Sequence, residues 1–100
     1  MKYLDSSQLV HIAISVPEAA DTIIRYIEEG VPTGSFLELI ISNDFVRAAG
    51  CADETNQRLL FEYASVLYND FPGGAWGSRQ AYSDWINQHQ AVRDAQREGR

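Results

Sequence analysis

The chain has 100 residues, a net charge of −6 and a single cysteine. That length fits one domain and is too short for two independent cores, and one cysteine excludes an intramolecular disulfide. Such acidity is repelled by phosphate, so direct nucleic-acid binding is not expected. No stretch approaches the roughly 18 apolar residues of a membrane span.

Residues 5–15 satisfy two patterns. Leu9, Ile12, Ala13 and Val16 fit a helical face, while Val10, Ile12, Ile14 and Val16 fit strand alternation. Asp5 or Ser6 can cap a helix and no second strand is evident, so a short helix is expected. Ser15 and Glu18 then have capping-box spacing, with Pro17 in the first turn. Ala20, Ile23, Ile24 and Ile27 form the apolar stripe of a helix over 16–29, and Gly30 stands where a left-handed cap belongs.

Pro32 and Gly34 mark a turn. Ser35 and Glu38 repeat the capping-box spacing ahead of the nearly continuous apolar run Phe36, Leu37, Leu39, Ile40 and Ile41, which reads as a buried helix. Asn43-Asp44 breaks or restarts it. Phe45, Val46, Ala48 and Ala49 continue the register to Gly50. Asp53 is the expected N-cap of the longest helix, over 54–70, with Leu59, Leu60, Tyr63, Val66 and Leu67 inside and Glu62 and Asp70 outside. Phe71-Pro72-Gly73-Gly74 stops it. Ser78 caps a last helix carrying Ala81, Tyr82, Trp85 and Ile86, after which the sequence is polar. The expected fold class is all-α: one small bundle of four to five short helices over 1–90, with a polar tail over 91–100.

Charge is uneven. Residues 1–77 hold 11 acids and 4 bases, hence −7; residues 78–100 hold 3 acids and 4 bases, hence +1. Acids expected on outward faces are Asp21, Glu28, Glu29, Glu38, Asp44, Glu62 and Asp70. Each alone reads as a solvated charge; together they complement a basic partner. Tyr26 and Tyr68 sit beside polar residues and are expected to be half-exposed.

Catalytic chemistry finds little purchase. Cys51 lies in a turn, nothing in the sequence links it to His11 or His89, and it reads as a small filler residue. These three groups lack metal-ligand spacing. The glycine-rich 73–78 segment has no lysine and follows no strand, unlike a phosphate loop. Trp76 there is expected to pack on the core, with a binding role as the alternative. No cofactor, metal or catalytic residue is expected, nor any membrane partner, and a cytoplasmic location is the default.

Three stretches keep their glycines, prolines and tryptophans in a distinctive order: RYIEEGVPTGSFLELIISND (25–44), ADETN (52–56) and LYNDFPGGAWGS (67–78), followed by Trp85. On these, residues 25–86 resemble a group of small proteins encoded by temperate phages and prophages of proteobacteria. Some small acidic phage proteins of this appearance are anti-CRISPR proteins. Those of type I-F bind the crRNA-guided Cascade (Csy) surveillance complex and stop it from capturing target DNA. The resemblance thus implies a non-enzymatic inhibitor in the bacterial host cell, with Cas subunits as partners. Carboxylates and amides would meet the arginines and lysines that hold DNA, as a wedge between subunits rather than as a DNA mimic, since the acids show no duplex-like regularity. The partner-binding residues expected are Glu28, Glu29, Asp44, Tyr68, Asn69, Asp70 and Trp76. The alternative is a phage regulatory or host-takeover protein that binds some other host or phage protein.

Overall fold

In the computed structural model, which describes residues 1–98, Asp5 starts the first helix with a reciprocal capping box. The Gln8 N–H donates to Asp5 Oδ1 at 2.9 Å, and the Asp5 N–H donates to Gln8 Oε1 at 3.0 Å. Residues 5–15 are therefore resolved as helix α1, Ser6–Ser15. It ends where Pro17 disfavours helical geometry in the residue before it, and Val16 leaves the helix fully buried.

Helix α2, Ala20–Glu29, begins four residues later than the spacing suggests. Ser15 is the last residue of α1 and Pro17–Ala19 are the turn, so the Ser15–Glu18 box does not form and Ala19 caps α2 without a side-chain bond. At the other end Gly30 adopts φ 66°, and its N–H returns to the Tyr26 carbonyl at 2.9 Å. A Cβ there would lie 2.5 Å from His89 Cβ, so both the backbone conformation and the neighbouring helix demand glycine.

Helix α3, Ser35–Ile41, buries Leu37, Ile40 and Ile41. Ser35 is its first residue, not its cap, and Glu38 pairs with Arg79 at 3.3 Å. Asn43 takes φ 64° and separates α3 from α4, Phe45–Cys51. Asp53 caps as expected, accepting from the Asn56 N–H at 2.8 Å. The helix it starts is short: α5, Glu54–Arg58, breaks at Leu59, which leaves helical geometry at φ −98° and ψ 8°, and α6, Leu60–Asp70, follows. A 3-10 turn at Gly73–Ala75 leads to α7, Arg79–Glu98, which Ser78 caps through the Ala81 N–H at 3.0 Å. The longest helix is thus α7 and not the 54–70 segment. It runs on past residue 90, where the polar tail is expected to begin; residues 99–100 lie outside the described residues.

Seven α-helices and no strand are present among the described residues, an all-α domain. No described helix is long and apolar enough to cross a membrane. The core gathers Ile12, Val16, Ile23, Ile27, Ile40, Ile41, Val66 and Leu67 around Tyr26. Tyr26 is fully buried rather than half-exposed: its hydroxyl donates to the Ala75 carbonyl at 2.7 Å, and its ring stacks on Tyr82 at 5.2 Å. Burial, with Tyr82 beside it, holds that hydroxyl well above the ordinary phenol range.

Candidate functional site

The seven residues expected to bind a partner fall in three separate places, and several are already engaged. Glu28 faces the amino-terminal arm. Its carboxylate accepts the backbone N–H groups of Lys2 at 2.7 Å, Tyr3 at 3.0 Å and Leu4 at 2.7 Å. Three donors satisfy most of what a carboxylate can accept, so Glu28 is an anchor for the arm and not a free surface charge. Glu29 next to it is exposed, and its backbone carbonyl accepts from Arg93 at 2.6 Å. Arg93 also reaches the Gly30 carbonyl at 2.8 Å, so α7 supplies a cation to the C-terminal end of α2.

Asp44 and Trp76 lie near the end of α3. Asp44 faces Arg47 at 3.7 Å, and the Gly77 N–H donates to the Ile41 carbonyl at 2.9 Å, which seats the Trp76 loop there. Trp76 is half-buried against the core.

Tyr68, Asn69 and Asp70 end α6 beside α1. Asp70 is 5% exposed and does not face out. Its carboxylate meets His11 Nδ1 at 2.5 Å, so the ring carries its proton on Nδ1 and turns Nε2 outward. A buried carboxylate needs such a donor, and the sequence hides the pairing because the partners are 59 residues apart. Gln8 Nε2 donates to the Asn69 carbonyl at 3.4 Å, and the Asn69 side chain turns back to the Ser65 carbonyl at 2.9 Å. Ser7, Gln8, His11, Asn69 and Asp70 line a shallow depression of about 250 Å³. Ser7, His11 and Asp70 are the residue types of a nucleophilic triad, but no hydrogen bond joins Ser7 to His11.

Around this depression the two helices expose apolar side chains. Seven large hydrophobic residues are exposed among the described residues, and four of them stand on α1 and α6: Val10, Ile14, Phe61 and Tyr68. Phe61 is 78% exposed and Tyr68 82%. The helices run antiparallel, with residues 8 and 11 beside 69 and 70, and Glu18 just past α1 beside Tyr63. Val10 and Ile14 share the outward face of α1, and Phe61 and Tyr68, seven residues apart, share the outward face of α6. Helical register gives the reason: Ile12 and Val16 point inward, which turns Val10 and Ile14 away. Tyr63, Val66 and Leu67 inward leave Phe61 and Tyr68 outward.

Of the expected residues only Tyr68 and Asn69 lie exposed on this face. Val10, Ile14 and Phe61 belong with them and were legible in the helical register alone. Cys51 is exposed, not a core filler. Comparison with family models, with curated proteins and with solved structures finds no match to this chain, so the reading of the site rests on its geometry.

Proposed function

We propose that the chain is a binding protein that docks on a macromolecular partner through the outward face of α1 and α6, with Phe61 and Tyr68 as anchors. The observation that carries this is the pair of exposed aromatic rings, Phe61 and Tyr68, on one face of α6, with Val10 and Ile14 exposed on α1. Aromatic side chains presented this way supply large contact area at small entropic loss and dominate many interfaces. The phage resemblance supports a crRNA-guided type I-F Cascade (Csy) complex as the partner, with inhibition of target-DNA capture as the outcome. Exposed apolar side chains and scattered acids suit a wedge between subunits better than imitation of duplex charge.

Gel-shift tests this directly. Purified type I-F Cascade is incubated with the protein and then offered labelled target DNA. Loss of the DNA shift, co-elution of protein and complex, and recovery of the shift with F61S/Y68S is the expected result. A normal shift without co-elution removes that complex as the partner. The same face would then serve the second reading, a phage regulatory or host-takeover protein bound to another protein, to which the scattered placement of the acids is equally suited.

A further inference from the structure

A second cavity opens between the start of α2, the start of α3 and the α5–α6 bend. It measures about 360 Å³, within the range of small-ligand and side-chain pockets. Glu18, Thr22, Ser35, Phe36, Asn56 and Tyr63 line it. Phe36 stands edge-on to Tyr63 with ring centroids 5.4 Å apart, which makes one wall aromatic. The Tyr63 hydroxyl donates to Asn56 Oδ1 at 3.0 Å, and so its oxygen keeps lone pairs for another donor. The Thr22 and Ser35 hydroxyls add acceptors.

The charges here are of one sign. No lysine or arginine lines the cavity. Asp44, Glu54 and Glu38 face Arg47, Arg58 and Arg79 elsewhere, whereas Glu18 has no ion-pair partner among the described residues. The Tyr63 hydroxyl is raised above the ordinary phenol range by burial first, then by the Asp53 and Glu18 carboxylates.

We propose that this cavity receives an arginine side chain of the bound protein, its guanidinium paired with Glu18 and lying against the Phe36–Tyr63 wall. A guanidinium carries five donors and no acceptor, which matches a carboxylate and three hydroxyl oxygens. Its plane stacks on aromatic faces. Glu18 follows α1 and Tyr63 stands near the start of α6, so the cavity opens at the end of the molecule where α1 finishes and α6 begins. A partner covering Phe61 and Ile14 would bring its own side chains to the cavity mouth. This inference rests on the proposed docking face for the source of the arginine, and on the cavity alone for its chemistry. Ala19, Gly34 and Ser35, at the starts of α2 and α3, also line the cavity, so an anion is the competing ligand.

The test uses the full chain and N-acetyl-arginine methylamide, followed by amide and side-chain NMR shifts. Saturable shifts confined to Glu18, Thr22, Phe36, Asn56 and Tyr63 are expected, weakened about tenfold or more by E18Q, the loss that follows removal of a charge-assisted bond. Glu18 is exposed, so E18Q should fold normally, and an unchanged spectrum elsewhere verifies it. Absence of localised shifts, equal shifts in E18Q, or stronger shifts with acetate would each overturn the proposal. The two readings fail separately. If F61S/Y68S leaves partner binding intact while the arginine titration behaves as expected, the docking face is wrong and the cavity stands. If the titration fails while F61S/Y68S abolishes binding, the reverse holds.

Discussion

The junction of α2 with α7 and the pair α1–α6 are both helix–helix contacts, yet they are finished in opposite ways. At the first, Trp85, His89, Tyr3 and Glu28 all find hydrogen-bond partners inside the molecule. Trp85 Nε1 donates to the Tyr26 carbonyl at 2.9 Å, and His89 Nδ1 donates to the Trp85 carbonyl at 2.7 Å. His89 Nε2 is thereby left to accept from the Tyr3 hydroxyl at 3.0 Å. Tyr3 packs on Trp85, and Glu28 holds the arm that carries it. At the second contact His11 meets the buried Asp70 carboxylate, and the outward faces keep Val10, Ile14, Phe61 and Tyr68 in water. The two histidines sum up the contrast: His89 is buried with both ring nitrogens engaged, while His11 is half-buried with one turned outward. Closure of the first region stabilises the fold, and the open second region is free to bind.

The largest expected effect breaks the closed region. Gly30→Ala places a Cβ 2.5 Å from His89 Cβ at a positive φ, so α7 must move away from α2. Strain at the backbone and overpacking add, and a loss of about 3 kcal/mol or more is expected in urea unfolding. Near-native stability for this variant would mean that α7 is not held where Gly30 admits it.

The buried pair of the open region ranks next. His11→Ala removes the only side-chain donor, among the described residues, to a carboxylate that stays buried, and should lower stability by about 2 kcal/mol. Asp70→Asn keeps an acceptor and leaves a neutral group behind, so about 1 kcal/mol is expected. Denaturant midpoints give the order. If D70N proved the more damaging, the pair would matter for its charge and not for the satisfaction of Asp70.

Local signals explain why parts of this were legible in the sequence. Asp5, Asp53 and Ser78 cap helices through bonds spanning three residues, and Gly30 closes α2 within one turn. What depends on distant partners was not legible. Glu28 looks like any surface acid until residues 2–4 fold back on it, and Asp70 looks outward-facing until α1 delivers His11. The bend at Leu59 lies between two helix-forming stretches and carries no glycine or proline. The polar stretch after Ile86 is helical, with His89 buried and Arg93 reaching carbonyls of α2, contacts that no periodicity announces. At the candidate site the sequence identified Tyr68 through its polar neighbours, whereas Phe61 emerges only from the register of Tyr63, Val66 and Leu67, which turns it outward.

Alkaline titration sharpens the comparison through the core tyrosines. Tyr26 and Tyr63 have hydroxyls raised above the ordinary value of 10.0, so the fold favours their neutral form. The unfolded chain therefore ionises first. Above pH 10 it binds fewer protons than the native state, and stability, full below that pH, declines as pH rises. The slope contributed by each group is at most about 1.4 kcal/mol per pH unit. Urea midpoints between pH 8 and 11 should show the decline, and Tyr26→Phe and Tyr63→Phe should each remove part of it. A midpoint independent of pH across that range would contradict their burial.

The smallest expected effect on stability is the most informative about function. Phe61→Ser and Tyr68→Ser remove rings that touch little of the protein, and each should shift stability by no more than about 0.5 kcal/mol. A slight gain is as consistent as a slight loss, because exposed apolar area stabilises nothing in the monomer. Residues that serve the fold and residues that serve a partner are separated by this asymmetry. Gly30→Ala should weaken binding only by unfolding the chain, while F61S/Y68S should weaken it with the melting curve unchanged. Were the double variant to lose stability by several kcal/mol, Phe61 and Tyr68 would be covered in solution, and the α1/α6 face would already be occupied by another copy of the chain.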